Sequence, residues 1–340
     1  MRVAINTYPN TNQNIGGIQM RVKRTFAELR SVGTDVVLFD QWNHEIRQFD
    51  ILHSFKLHHA AYELNLTSKS RGVKSVISTV LPPEFPVRRA RIMGKLWDRG
   101  VCQSLIAYTL YDQARKADAL IAVSNAEASL ISSAFGVCRE KIHIVPNCAD
   151  ANVYASADAE LFRSQYGLSK YVLAVGRVEP NKNQLRLIHA MRNIDMKLVI
   201  IGRVSDDSKD YAKKCAAVGG DQVLFIDHLP YHSPILASAY AGAEAFVLAS
   251  VSEIAPNSTL EAAMAGTRVV VTRNALAPAE WFGEDATYID PLDESDIEAG
   301  IAAALRAPRS ERMRRRILAE YSWEAGAQKT LNVYKSVLAK

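Results

Sequence analysis

The stretch VLAVGRVEPNKNQLRLIHAM, residues 172–191, decides the fold class. It opens with a short apolar run that ends at Gly176, continues with polar residues, and from Gln184 onward places apolar residues at helical spacing. A strand, a loop and a helix follow one another in this order in every βαβ unit of a parallel sheet. The stretch therefore predicts one such unit in an α/β protein.

The same alternation continues on both sides of this stretch. In the first half of the chain, strands are predicted at residues 2–6, 34–39, 50–53, 74–80, 119–123 and 141–145. In the second half, strands are predicted at residues 171–175, 196–201, 222–226, 245–249, 268–272 and 286–289. A long helix is predicted from residue 87 to residue 116. Apolar strands that alternate with helices are typical of parallel sheets covered by helices on both faces.

A polar segment between the two series indicates a domain boundary. Residues 150–169 show no strong period, which is typical of a hinge. We predict an α/β protein with two Rossmann-like doubly wound parallel-sheet domains, residues 1–160 and 161–321, that face each other across a cleft. A final helix over residues 322–340 is expected to pack back on the first domain. Open α/β sheets bind ligands at the carboxyl ends of their strands, so the cleft is the candidate site.

Charge and cysteine content exclude several classes of function. The chain of 340 residues has a formal net charge of +5 and four cysteines, without a C-x-x-C pair or a spacing typical of zinc ligands. Its basic residues do not alternate with stacking aromatic residues, so we expect no nucleic-acid partner. The chain has no apolar run long enough to cross a bilayer, and MRVAINTYPN lacks the order of a secretory signal. We expect a cytoplasmic protein without a metal ion.

The loop after the strand at residues 171–175 carries two cations. Arg177 and Lys182 flank it, and the first amides of the following helix point in the same direction. Two cations and a helix start together suit a diphosphate. The alternative is a basic loop that only contacts water, and these residues alone leave both interpretations open.

A second motif, SEIAPNSTLEAAMAGTRVVV, covers residues 252–271. Glu253 precedes a helix that is predicted to start near Asn257 or Ser258, and Glu261 lies near the start of that helix. Carboxylates at this place can accept hydrogen bonds from sugar hydroxyls, and the helix amides favour an anion. The alternative is a capping box, in which Glu261 accepts a hydrogen bond from the amide of Ser258.

Together, the two motifs resemble those of the family 4 retaining glycosyltransferases of the GT-B fold, and the resemblance extends along the whole chain. It includes the glutamate pair and the lysine that follows the Gly-Arg loop. The other matching features are Gly16 and Gly17, IAVS at 121–124, IVPN at 144–147, Glu280, ATYIDPLD at 286–293 and SWE at 322–324.

The resemblance implies a role for each matching residue. Arg177 and Lys182 would bind and neutralise the departing diphosphate, Glu261 would hold the ribose hydroxyls, and Glu253 would contact the transferred sugar as a third catalytic residue. The remaining donor-binding positions would be Gly16, Gly17, Asn257, Ser258 and Thr259. The first domain would bind the acceptor. The family normally requires no metal or other cofactor, since the cations and helix amides take that place.

Two departures from the family pattern concern the sugar and the acceptor. Many relatives carry a histidine shortly after the strand at residues 74–80, where this chain reads STVLPP over residues 78–83. His53, His58 and His59 are nearby, but a histidine in this chain is more often structural or exposed than functional. The sequence therefore does not identify the group that replaces the missing histidine. Ile254 and Asn183 stand where glycine is frequent in the family. They alter the shape of the site near the sugar and of the phosphate loop, without removing a charge that the mechanism needs.

The resemblance implies a retaining hexosyltransferase that moves a sugar from a nucleoside diphosphate sugar to a hydroxyl of a saccharide, lipid-linked or small-molecule acceptor. Synthesis of a glycan, a glycolipid or a cell-envelope polysaccharide would be its setting. Two alternatives are a sugar-nucleotide epimerase of the same shape and an inactive protein that only binds the sugar nucleotide. The nucleotide base, the sugar and the acceptor depend on side chains that the sequence does not place.

A basic segment suggests contact with a membrane. Within residues 88–99, five cations alternate with Ile92, Met93, Leu96 and Trp97 on a predicted helix; the cations are Arg88, Arg89, Arg91, Lys95 and Arg99. Such a stretch can rest on anionic lipid at the inner face of a membrane. The alternative is a solvated helix with an inward apolar stripe.

Overall fold

The computed structural model describes residues 1–9, 11, 16–101, 106–231 and 233–340. The chain divides into two compact units. The first unit contains Met1–Asn147 and Trp323–Lys340, and the second contains Cys148–Ser322.

Twelve parallel strands form two sheets of six among the described residues. The strands of the first sheet are β1 Arg2–Asn6, β2 Asp35–Leu38, β3 Ile51–Phe55, β4 Lys74–Ser78, β5 Ala119–Ala122 and β6 Ile142–Ile144. The strands of the second sheet are β7 Tyr171–Val175, β8 Lys197–Ile201, β9 Val223–Ile226, β10 Ala245–Leu248, β11 Arg268–Thr272 and β12 Thr287–Ile289. With the helices that cover both sheets, these strands confirm the predicted fold class, two doubly wound α/β units.

Fifteen α-helices lie in the described part of the chain. The helices up to the boundary between the units are α1 Gly17–Ser31, α2 Tyr62–Ser70, α3 Val87–Trp97, α4 Ile106–Lys116 and α5 Asn125–Phe135. The helices after it are α6 Ala151–Ala155, α7 Ala159–Tyr166, α8 Gln184–Ala190, α9 Lys209–Gly219, α10 Pro234–Gly242, α11 Asn257–Met264, α12 Pro278–Phe282, α13 Glu294–Arg306, α14 Glu311–Glu320 and α15 Trp323–Leu338.

The order of the strands creates one switch point in each sheet. The first sheet has the order β2-β1-β3-β4-β5-β6, so the chain leaves β1 toward one edge and returns to β3 on its other side. The second sheet has the order β12-β11-β10-β7-β8-β9, which puts the corresponding reversal between β7 and β10. The loops at the carboxyl ends diverge at these two places, and the crevices between them are where such sheets bind ligands.

Burial of apolar side chains on both faces explains why the strands are apolar along their whole length. In β5, Ala119, Leu120, Ile121 and Ala122 are all fully buried. One face of the first sheet packs against α1 and α15, and the other against α3, α4 and α5. The C-terminal helix α15 is therefore part of the first unit.

Two predicted features differ from the structure. The long helix predicted over residues 87–116 is wrong, because α3 ends at Trp97 and α4 starts at Ile106, with Gly100 in the left-handed region (φ 80°) after α3. The predicted boundary after residue 160 lies beyond the division at Asn147. Residues 150–169 look polar, yet Tyr154 and Phe162 are fully buried in the core of the second unit.

Candidate functional site

The candidate site lies at the switch point of the second sheet. β7 and β10 are hydrogen-bonded neighbours there, and each is followed by one of the two motifs singled out from the sequence. Asn181 connects the two loops: its carbonyl accepts from the amide of Val251 (2.8 Å), and its side-chain amide donates to the carbonyl of Ser252 (3.2 Å). The two motifs therefore form one structural unit.

Asn183 holds the end of the first loop. Its backbone is left-handed (φ 59°), a conformation that asparagine tolerates better than most residues. Its buried amide donates to the carbonyls of Ala249 (3.0 Å) and Pro291 (2.6 Å). The start of α8 is thus tied to the end of β10.

Lys182 and Glu253 form an ion pair across the two loops. The Nζ of Lys182 contacts the Oε1 of Glu253, and the side chains are only 19% and 13% exposed. An ion pair this far from water is screened less than a surface pair. The structure brings together these two of the four charged residues singled out from the sequence.

Arg177 has a different partner. Its side chain is 64% exposed, and its Nη2 lies 3.1 Å from the Oε1 of Glu179, rather than on either glutamate of the second motif. The other oxygen of Glu179 accepts from the hydroxyl of Ser205 (3.0 Å). The sequence did not predict Glu179 as a site residue. Its position two residues after Arg177 is the feature that could have indicated it.

Glu261 is buried and paired with a tyrosine. It is 4% exposed, and the hydroxyl of Tyr240 on α10 donates to its Oε2 (2.6 Å). Burial raises the pKa of Glu261 to about 7, against the lowering effect of that hydrogen bond. The capping-box alternative is wrong, because α11 begins after Pro256 without a side-chain cap and the carboxylate of Glu261 is bound to Tyr240.

Two further tyrosines surround this carboxylate. Tyr154 on α6 is fully buried, with its ring edge-on to that of Tyr240 at 5.6 Å. Burial, followed by the charge of Glu261, raises the pKa of Tyr154, and the charge of Glu261 is the main cause of the raised pKa of Tyr231.

At the start of α11, some polar side chains are already hydrogen-bonded and others are not. The hydroxyl of Thr259 already donates to the carbonyl of Pro256 (2.7 Å). In contrast, the buried Oδ1 of Asn257 has no partner in the described part of the chain, and neither has the hydroxyl of Ser250 at the end of β10. Ser258 is half-buried. The side-chain oxygen of Asn257 is thus available to a ligand. The donor-binding roles of Asn257 and Ser258 stay predictions.

The remaining residues singled out from the sequence lie in the first unit. Gly17 is the first residue of α1 and Gly16 precedes it, and a Cβ at either would meet no atom within 4 Å. His53 is buried between the hydroxyls of Tyr334 (2.6 Å) and Ser78 (2.9 Å). Burial lowers the pKa of His53 to about 3, so it is neutral and structural.

A buried glutamate occupies the region of the missing histidine. Glu127, at the start of α5, accepts hydrogen bonds from the hydroxyl of Thr79 (2.7 Å) and from the amides of Leu81 and Val123 (2.8 Å each). Val80, between Thr79 and Leu81, has φ 142°, an uncommon conformation for a β-branched residue. The segment after β4 is therefore held by a carboxylate from a different element.

Two other kinds of feature are absent from the described residues. No helix among them is both long and apolar enough to cross a membrane. In the same residues, no group of three or more histidine, cysteine, aspartate or glutamate side chains is arranged to hold a metal ion.

Two protein families match the chain in succession. Residues 28–153 match the family described as Glycosyltransferase Family 4, and residues 159–322 match the family described as Glycosyl transferases group 1. The two matches correspond to one unit each for most of their length.

Individual relatives are similar at lower identity. An MMP alpha-(1->4)-mannosyltransferase of Mycolicibacterium hassiacum is 27% identical over 67% of this chain and 56% of its own length. A D-inositol 3-phosphate glycosyltransferase of an Arthrobacter species is 28% identical over 64% of this chain and 56% of its own length. The match thus spans little more than half the length of each of these relatives.

Solved structures share the fold. HepE of Anabaena in complex with UDP aligns with a TM-score of 0.78 at 16% identity, over 99% of this chain and all of that chain. Sucrose-phosphate synthase of Thermosynechococcus elongatus aligns with a TM-score of 0.76 at 16% identity, over the whole of both chains.

Proposed function

Since this chain belongs to the family 4 glycosyltransferases of the GT-B fold, we propose that it transfers a sugar from a nucleoside diphosphate sugar to an acceptor hydroxyl. One observation carries this proposal: the Lys182–Glu253 pair lies at the switch point of the second sheet, beside the start of α11. A cation for the diphosphate and a carboxylate for sugar hydroxyls are the two groups that such a donor needs.

The donor takes over contacts that the protein makes with itself. Lys182 leaves Glu253 for the diphosphate, and the freed carboxylate of Glu253 accepts from hydroxyls of the transferred sugar. Arg177, which is mostly exposed, adds a second cation to the diphosphate. Negative charge develops on this leaving group during transfer, so the two cations stabilise the transition state more than the ground state. UDP-glucose, present in one structure of the similar HepE, is a donor of this class.

We infer that the transfer retains the anomeric configuration and needs no metal. The bond between the anomeric carbon and the diphosphate breaks while the bond to the acceptor oxygen forms on the same face, and the proton of the acceptor hydroxyl moves to a phosphate oxygen. Lys182, Arg177 and the amides of α11 supply the positive charge that a metal ion gives in other transferases.

One assay tests the reaction. The full chain is incubated with UDP-, GDP- and ADP-sugars and a panel of saccharide and lipid-linked acceptors, in EDTA and in Mg²⁺. We expect nucleotide release that depends on the acceptor, equal rates in EDTA and Mg²⁺, and a product with the donor's anomeric configuration by NMR. An isomerised donor, or donor binding without turnover, would contradict transfer. A rate that needs Mg²⁺, or an inverted product, would contradict metal independence or retention.

We further propose a weak contact between α3 and the cytoplasmic face of an anionic membrane. Arg88, Arg89, Lys95 and Arg99 are exposed on or beside this helix, and Ile92 among them is 63% exposed. Cations around an exposed apolar side chain suit the headgroup region of a bilayer. We expect the chain to sediment with phosphatidylglycerol vesicles at low salt and Ile92→Ser to sediment less. Equal recovery with neutral and anionic vesicles would contradict the contact.

A further inference from the structure

The switch point of the first sheet carries a group of side chains that the proposed function has not used. Tyr8 follows β1, and Lys56, His58 and His59 follow β3, its neighbour in the sheet. These four residues are called the β1/β3 cluster below. They lie in the first unit at the place that corresponds to the donor site in the second.

The β1/β3 cluster is connected by ring contacts. The Nζ of Lys56 lies over the ring of Tyr8, 5.3 Å from its centroid. The ring of His58 stacks on Tyr8 (5.4 Å between centroids) and on His59 (4.3 Å). Lys56 and His58 thus both contact the ring of Tyr8, and His59 joins the cluster through His58. Lys56, His58 and Tyr8 are half-buried, while His59 is exposed.

The charges in the cluster have one sign. Lys56 makes no ion pair with any described residue. The described charged groups that act on His58 are His59 and Lys56, and both lower its pKa after the larger effect of burial. The charge of Lys56 opposes protonation of the histidine beside it, and a bound anion would offset that effect.

The backbone also singles out Lys56. It has φ 72°, in the left-handed region that favours glycine and asparagine, and its amide is held by the carbonyl of Ser78 (2.7 Å). A lysine in this conformation costs free energy, and such residues concentrate at ligand sites. The ring of His58 is also held in one orientation and one tautomer. Its Nδ1 accepts from the amide of Ala60 (3.1 Å), which leaves Nε2 as a donor.

We propose that the β1/β3 cluster binds a phosphate monoester of the acceptor. A phosphate offers three acceptor oxygens and nearly two negative charges at neutral pH, which matches the donors of Lys56, His58 and His59. The face of Tyr8 adds an apolar surface beside them, of the kind on which sugar rings stack. The assignment to the acceptor rests on the proposed function and on the expectation, implied by the family resemblance, that the first unit binds the acceptor.

The test follows the ring resonances of the histidines by NMR while inorganic phosphate or glucose 6-phosphate is added. The chain has eight histidines, and His58→Asn identifies the resonance of His58 because the Oδ1 of asparagine can still accept from Ala60. We expect a saturable shift of this resonance and a rise in the pKa of His58. Lys56→Asn, which tolerates the left-handed backbone, should weaken phosphate binding about tenfold. The control Lys23→Asn on α1 should not change it.

The design separates this site from the donor site. The double variant Arg177→Ala, Lys182→Ala should keep the phosphate-induced shift of His58, whether or not transfer is ever detected. Vesicles of phosphatidylglycerol, whose phosphate is a diester, provide a second arm, and a shift with vesicles but not with inorganic phosphate would contradict a monoester site. The proposal is overturned if inorganic phosphate does not shift His58, or if Lys56→Asn binds phosphate as tightly as the wild type. The wild-type chain alone also provides a test, because a pKa of His58 that does not rise when phosphate is added would contradict the proposal.

Discussion

We propose that Lys182 exchanges its partner Glu253 for the donor diphosphate when the donor binds. In the structure it is paired with Glu253 and is mostly shielded from solvent. Desolvation of an ion pair is costly unless its geometry is good, so a diphosphate with two charges can compete for the lysine. In this proposal, the ion pair with Glu253 holds the side chain of Lys182 in place until the donor binds.

Removal of this cation should slow the chemical step. We expect Lys182→Ala to lower turnover about a hundredfold, as loss of one donor to a developing anion does in other enzymes. Lys214→Ala, an exposed lysine on α9 of the same unit, is the matched control. Single-turnover rates of both variants decide the matter, and a wild-type rate for Lys182→Ala would remove the lysine from the mechanism.

The pH dependence of donor affinity should report on Glu261. Its raised pKa, about 7, means that the carboxylate that we propose for the ribose hydroxyls forms as the pH passes neutrality. The affinity for a nucleoside diphosphate sugar should therefore rise between pH 6 and 8, roughly the range around that pKa. Isothermal titration measures this, and Glu261→Gln should give a flat profile. An equal slope in both proteins would contradict the role of Glu261.

The same pKa predicts a pH effect on stability of the opposite sign. The folded-state pKa of Glu261 lies above its ordinary value of 4.5, so the folded protein holds a proton that the unfolded chain has lost between those pH values. The free energy of unfolding should therefore fall as pH rises from about 4.5 to about 7. Denaturant unfolding of the wild type and of Glu261→Gln at several pH values tests this, and the variant should lack the fall.

The loop between β7 and α8 depends on a neighbouring glycine. A Cβ at Gly202, after β8, would overlap the carbonyl of Gly176, and the backbone there has φ 157°. We expect Gly202→Ala to displace the loop that carries Arg177 and Lys182, with loss of donor binding. Gly167→Ala has positive φ but open space around its Cβ, so it should cost only about 1 kcal/mol of stability and keep donor binding. Equal donor affinities in the two variants would contradict this.

The elements were predictable to different degrees. Strands such as β5 and β7 follow directly from apolar runs between polar loops, because both faces of these sheets are buried. The break between α3 and α4 could not be predicted, because the helical pattern continues past Gly100. The segment with α6 was read as a hinge, since two buried aromatic residues in a polar context do not form a period.

The candidate site was predictable in part for a related reason. Lys182 and Glu253 follow neighbouring strands, so their proximity could be inferred from strand order. The Tyr240–Glu261 hydrogen bond joins two helices, and only their packing brings these side chains together. The β1/β3 cluster was not predictable for the same reason, since its residues are ordinary in sequence and become distinctive only through ring contacts and backbone conformation.

In the whole molecule, two sheets of related order carry complementary chemistry at their switch points. The second sheet places a cation and carboxylates at β7 and β10, and the first places an aromatic ring, a lysine and two histidines at β1 and β3. A transferase must bind a donor and an acceptor at once, and one ligand crevice in each sheet meets that need. Each site can be tested separately, because the two sites share no residue.

A crystal structure of the chain with the nucleoside diphosphate sugar that supports turnover gives the decisive result. We expect the diphosphate within hydrogen-bonding distance of Lys182 and Arg177, the ribose hydroxyls on Glu261, and Glu253 released from Lys182 toward the sugar. A donor bound away from the carboxyl ends of β7 and β10, with the Lys182–Glu253 pair intact, would contradict the proposed function.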